Sequence, residues 1–263
     1  MYNPPYLCKS MKTAIMYVTH IFPENIVREI EKLSAETSEK ADLYVVYQSD
    51  RVTPPAGLRT KTHGFSVCRL NGYGYRSWGC TIMDGNFHFV LLDFFLSHPD
   101  YDYYWLVEYD VRFSGNWNTF FTFFEDKDED FWSACIETYS DNCTWIRWHE
   151  IELTGITADN SFMLKSFNPI CRFSNRALRL LHGRCLLGDR GHNEVLMATL
   201  FRYFDMSIAD FGGQGSFVSP GCENLFYKED VSGGDSPGWT HRYRPMHKES
   251  EMRLKDMIYH PVK

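Results

Sequence analysis

The stretch that most constrains this chain is Tyr103-Tyr104-Trp105-Leu106-Val107-Glu108-Tyr109-Asp110, an unbroken apolar run that ends in two carboxylates on either side of one aromatic ring. Five large apolar or aromatic residues in succession suit a strand covered on both faces, as in the middle of a parallel sheet. In such sheets ligands gather at the carboxyl ends of the strands. Glu108 and Asp110 stand at that end, and alternation along an extended chain points both side chains to one side. Two hard oxygen donors aimed together match a magnesium or manganese ion, which keeps part of its shell for substrate phosphates. A strand followed by an ordinary polar turn would carry the same pair without an ion.

The surrounding pattern decides between these. Residues 13–19 read as a buried strand, and Pro23 opens a helix over 24–38 whose Ile26, Val27, Ile30, Leu33 and Thr37 share a face. Residues 42–48 form the next strand, completing a βαβ unit with a right-handed crossover. A third, short strand is expected at 65–70. Asp84 caps a helix along which Phe87, Val90, Leu91, Phe94 and Phe95 make one stripe, and His98-Pro99 ends it. The glycine-aromatic segment 72–79 lacks the G-x-G-x-x-G pattern, so no dinucleotide fingerprint is present.

Downstream of Asp110 the pattern predicts an aromatic helix reaching Phe124, a strand at 131–136 and an extended segment at 161–173. Ser174 caps a helix stopped at Gly183, and His192-Asn193-Glu194 opens another that runs to Phe204 with Leu196, Leu200 and Tyr203 turned inward. A last strand is expected at 206–209, an irregular segment at 211–239 and a basic, partly helical one at 242–257. Between these elements, residues 137–160 carry Tyr139, Trp145, Trp148 and His149 without a clear period, and loops of that length are usually functional.

The chain is 263 residues long, which suits one large domain or two small ones. Net charge is −7 with no run of like charges, which disfavours a nucleic-acid partner and points to a small one. The eight cysteines include no C-x-x-C pair, so a structural zinc site is disfavoured and a reducing, cytoplasmic setting is expected. No apolar leader and no membrane span are expected. A trimmed lumenal domain or a membrane-associated enzyme would read the same way, and the sequon Asn142-Cys143-Thr144 adds little either way.

Four features now stand in order: a βαβ half, an acid-x-Asp element after a buried strand, an acidic residue opening a later helix, and a histidine near the last residue. Together they resemble the GT-A fold glycosyltransferases, which move a sugar from a nucleotide diphosphate donor. The strip WLVEYDVRFSGNW also looks like glycosyltransferase-like proteins of bacteria and fungi. The resemblance implies a single domain of α/β class, a Rossmann-like, mostly parallel central sheet with helices on both faces. It implies a nucleotide-sugar-binding half over 13–110 and an acceptor-binding half over 111–263. Glu108-Tyr109-Asp110 resembles the family's DXD element, with Asp110 the stronger metal ligand; His260 resembles the terminal histidine that completes the metal shell. His192-Asn193-Glu194 resembles the x-E-D element, which makes Glu194 the base of an inverting reaction. Glutamate replaces the first aspartate of DXD, so Glu108 reaches the metal through water or holds the donor's ribose instead.

The same resemblance places the donor near Thr19, His20, Tyr47 and Gln48 at the first two strand ends, and adds Arg76 and Asp84 as further donor contacts. It implies Mn2+ or Mg2+, a donor more often UDP-linked, and a glycan or other hydroxyl acceptor. Trp145, Trp148 and Trp239 offer faces for sugar stacking, though aromatics more often pack in cores. The plain alternative for Glu194 is a first-turn acid stabilised by the helix dipole, and for His260 a frayed tail residue. Two rival functions are a non-catalytic carbohydrate- or nucleotide-binding module of this fold and a metal-dependent phosphoesterase, the second of which wants more clustered Asp and His than the sequence offers.

Overall fold

The structure, a computed structural model, describes residues 11–37, 39, 41–80, 82, 85–157, 159–229 and 239–263. In chain order the elements are β1 (Thr13–Thr19), α1 (Glu24–Thr37), β2 (Asp42–Gln48), β3 (Lys61–Phe65), α2 (Val67–Gly72), α3 (His88–Ser97), β4 (Tyr103–Glu108), β5 (Arg112–Phe113) and α4 (Trp117–Phe123). They continue as β6 (Phe131–Thr138), β7 (Ile151–Glu152), β8 (Leu164–Ser174), α5 (Asn175–Leu187), β9 (Arg190–Gly191), α6 (Asn193–Tyr203), β10 (Ile208–Asp210) and β11 (Ile258–Tyr259).

Seven strands form the central sheet in the order β10-β6-β8-β4-β1-β2-β3. All run the same way except β8, which is antiparallel to both β4 and β6. The expected α/β class with a mostly parallel sheet is therefore the one adopted. Strand β4 lies at the centre, flanked by β1 from Thr13↔Tyr103 to Val18↔Glu108 and by β8 from Tyr103↔Ser174 to Val107↔Ile170. Its unbroken apolar run follows from that position.

Alternation then splits each strand between two cores. Ala14, Met16 and Val18 of β1 and Tyr104 and Leu106 of β4 join α3, α5 and α6 on one face. Ile15, Tyr17, Trp105 and Val107 join α1 and α4 on the other. There the Trp105 indole is enclosed by Phe120, Phe121 and Phe124 at ring separations of 5.1–5.3 Å. Burying side chains of this size contributes about 2–3 kcal/mol each, and both cores anchor the strand that carries the acid pair.

Several local expectations are corrected. Residues 65–70 are the end of β3 followed by α2, because the Ser66 hydroxyl accepts the Arg69 N–H and caps a helix start. Gly183 does not stop α5, which continues to Gly188; there φ is +104°, a conformation that glycine adopts without strain. Tyr203 is 43% exposed rather than inward. The strand expected at 206–209 is Ile208–Asp210 and is followed by one more, β11, while the segment expected to be partly helical holds one turn of 3-10 helix, Glu249–Glu251. Asp84 lies outside the described residues, and α3 begins at His88 after Phe87, with no side-chain cap. Among the described residues no helix is long and apolar enough to cross a membrane.

Candidate metal and catalytic site

Strand β4 ends at Glu108, and the chain turns at once, with the Val111 N–H donating to the Glu108 carbonyl at 3.0 Å. The turn keeps Glu108 and Asp110 on one side of the sheet edge. The third member comes from the far end of the chain. Strand β11 pairs with β5, Tyr259 opposite Arg112, which lays His260 beside the turn, and the Val262 N–H donates to the Asp110 carbonyl at 2.8 Å. One ligand atom from each of Glu108, Asp110 and His260 then lies within 4.8 Å of the others. His260 is buried, not frayed.

The chemistry of the three groups is complementary. The His260 Nδ1 lies 2.8 Å from the Arg242 carbonyl oxygen, which can only accept, so Nδ1 carries a proton. The opposite nitrogen, Nε2, faces Asp110 Oδ1 at 3.5 Å, and that buried oxygen has no hydrogen-bond partner. In the neutral ring, two lone-pair atoms converge on one point. A second proton on the imidazole or a cation between the two satisfies both, and a histidine whose other nitrogen donates to a carbonyl is the form in which metals are bound. Burial raises the Asp110 carboxyl, but the His260 imidazole, the Asp110 backbone N–H and Lys263 together hold it below the usual carboxylate range. Glu108 moves the other way, up to about 8, through burial first and then the neighbouring charges of Asp110 and Glu194. A cation at the cluster would return Glu108 to its ionised form.

Glu194 approaches from the other half of the sequence. It sits in the first turn of α6, whose N-cap is His192: the His192 Nδ1 accepts the Glu194 N–H at 3.4 Å and lies 3.7 Å from the Glu194 carboxylate. Gly85 buttresses this start. Its φ is +95°, and a Cβ there would stand 2.5 Å from the His192 ring, while its carbonyl accepts the Asn193 N–H at 2.8 Å. Burial pushes Glu194 up to about 7, against the pull of Arg147 and Lys165. Burial and then Arg147 lower His192 to about 4, so it is neutral near pH 7. The Glu194 charge adds, after burial and Asp110, to the rise at Glu108.

The remaining donor candidates meet different fates. His20 packs edge-on against Tyr109 at 4.7 Å and lies at the rim of the cluster; burial lowers its pKa, with Asp110 opposing and Lys263 and Arg51 adding to the fall. Tyr47 and Gln48 are half-buried at the end of β2. Thr19 uses its hydroxyl in its own turn, donating to the Ile21 carbonyl at 2.6 Å. Arg76 is drawn elsewhere: it donates to the Gly188 carbonyl at 3.2 Å and pairs with Glu152 at 3.3 Å beside β9. Of the tryptophans, Trp148 is core, 1% exposed and packed with Met163 and Val195. Trp145 lies against it with the Lys165 ammonium 5.7 Å from its ring, and Trp239 packs partly buried on the α1/α4 core. Sequence reasoning missed Arg112 and Tyr17 beneath the acidic turn; the one local signal was a cation two residues after Asp110.

No protein-family model matches the sequence, and comparison with curated proteins found no match. Solved structures similar to the chain include core-mannan synthase A from Aspergillus fumigatus in its Mn/GDP form, at 12% identity and TM-score 0.40, covering 80% of this chain and 74% of that one. Mouse xyloside xylosyltransferase 1 is similar at 10% identity and TM-score 0.41, covering 78% and 88%. A 4-diphosphocytidyl-2C-methyl-D-erythritol synthase from Anaerococcus prevotii is similar at 10% identity and TM-score 0.42, covering 80% and 92%.

Proposed function

We propose that this chain is a glycosyltransferase of GT-A type that moves a sugar from a nucleotide diphosphate donor, UDP-linked, to a hydroxyl acceptor with inversion. The observation that carries the reading is the convergence of Glu108, Asp110 and His260 at the carboxyl end of the central strand, with Glu194 in electrostatic reach. Asp110 and His260 would hold a Mn2+ or Mg2+ ion, with Glu108 as the third ligand or, through water, a partner to it. When bound, the ion supplies positive charge for the diphosphate leaving group.

The protein's own groups do the rest. Glu194, with its pKa near 7, is matched to accept a proton from the acceptor hydroxyl at neutral pH. His192 orients it from the helix start without competing for the proton, because that ring is neutral there. The β1 and β2 ends, with His20, Tyr47 and Gln48, form the donor side, and the half after Asp110 forms the acceptor side. A two-metal phosphoesterase needs a second ligand set, and among the described residues one cluster of this kind forms.

A thermal-shift screen of UDP, GDP and CMP, with and without manganese, tests this reading. The expected result is a rise in Tm that needs metal and nucleotide together and is largest for UDP. A set of nucleotides that stabilise equally with and without manganese, or not at all, would remove it.

A further inference from the structure

We propose that Arg112 is the positioning residue of the cation site, bracing the turn that aims Asp110 and, through its own backbone, the strand that delivers His260. The inference rests on reading Glu108, Asp110 and His260 as cation ligands. Arg112 is 3% exposed and lies directly under the acidic turn. Its Nη1 donates to the Tyr109 carbonyl at 2.7 Å and to the Val111 carbonyl at 2.9 Å. The carbonyl between them, that of Asp110, accepts the Val262 N–H at 2.8 Å. Three consecutive peptide planes are thereby pinned. Because planar peptides leave only φ and ψ to rotate, the direction of the Asp110 side chain is fixed from both sides.

The brace is itself anchored. Tyr17 of β1 donates its hydroxyl to the same Tyr109 carbonyl at 2.9 Å. Glu29 of α1 faces the Arg112 Nε at 3.7 Å and accepts the Trp117 indole N–H at 3.0 Å. The Arg112 backbone pairs with Tyr259, so the residue after its partner is His260. One residue thus stands between both arms of the cluster. The guanidinium directs both of its backbone hydrogen bonds to the acidic turn, while its Nε meets the Glu29 carboxylate only at 3.7 Å. Both carbonyls on either side of Asp110 are served by the one nitrogen Nη1, which the planar guanidinium holds rigidly in place and a flexible lysine stem would not.

The test is Mn2+ affinity, read from the free-ion electron paramagnetic resonance signal, for wild type, Arg112→Met and Arg112→Lys, with circular dichroism and Tm on each. Removing a nearby positive charge would by itself tighten cation binding, so the sign of the change separates positioning from electrostatics. Loss of an outer-shell partner of a metal site typically weakens binding about 10–100-fold, and that weakening is expected for Arg112→Met. Arg112→Lys, which keeps the charge and loses the rigid planar placement of Nη1, is expected to weaken binding in the same direction, and it carries the test if Arg112→Met does not fold. A folded variant that binds Mn2+ as tightly as wild type or tighter, with only Tm lowered, overturns the inference and leaves the site standing. A wild-type protein that binds no Mn2+ removes the cation reading itself, and the inference with it.

Discussion

The acidic turn after β4 and the first turn of α6 each carry a carboxylate largely shielded from solvent, and they hold it in opposite ways. At the turn, His260 and Lys263 keep Asp110 ionised below the usual range. At the helix start, burial outweighs Arg147 and Lys165, and Glu194 titrates near 7. The difference comes first from burial, which prevails at the more deeply enclosed Glu194 and is outweighed at Asp110. The facing nitrogens add to it: Asp110 has the His260 imidazole at 3.5 Å, while the nitrogen 3.7 Å from the Glu194 carboxylate belongs to a ring lowered to about 4 and therefore uncharged near neutrality. One carboxylate is prepared to hold a charge and the other to exchange a proton.

The comparison breaks most completely at Asp110. Asp110→Asn removes the ionised ligand, and metal-dependent transfer is expected to fall by about 10³-fold or more, since metal stabilisation of developing charge is worth several kcal/mol. Donor turnover at saturating Mn2+ measures it, and turnover within a few fold of wild type would end the distinction. At the other carboxylate, Glu194→Gln is expected to lower kcat by roughly 10²–10⁴-fold with donor affinity unchanged. The wild-type rate should also fall as pH drops below about 7, the value to which Glu194 is raised. A loss confined to donor KM, or an acid limb that survives the substitution, would show that Glu194 is not the base.

The smallest effect is on stability. Glu194 is raised from an ordinary 4.5 to about 7, so between those values the folded protein holds a proton that the unfolded chain has released. Stability from this group is fully present below pH 4.5 and is lost as pH rises through 7. His192 slopes the other way: its pKa is lowered from 6.5 to about 4, so its contribution is present above 6.5 and is lost as pH falls through 4. Wild-type melts alone mix the two. The difference between Glu194→Gln and wild type isolates the first, and the variant should gain on wild type as pH rises from 5 to 8, by up to about 3 kcal/mol. Parallel melting curves across that range would mean that Glu194 is better solvated than its position implies.

Much of this was legible before folding. The alternation of β1 and β4 placed alternate residues in two cores, and the break from Val107 to Glu108 marked the strand end. The misreadings were local competitions. Ser66 capped a helix where an apolar run suggested a strand, and Gly183 was tolerated inside α5, at about 1 kcal/mol relative to alanine, because Leu178, Leu181 and Cys185 bury the opposite face. Trp148 became core because Met163 and Val195 close over it, which no spacing announces.

What the sequence determined by itself was the sheet, the acid-x-Asp element at its central strand end and a helix that starts with Glu194, since each depends on residue order over a few turns or strand steps. Only the tertiary structure decided which nitrogen of His260 meets Asp110, that Arg112 pins the carbonyls around it, and that three carboxylates of similar intrinsic acidity titrate apart. The reason is physical: periodicity is a property of neighbouring residues, whereas desolvation and charge depend on groups that the chain brings together from its two ends.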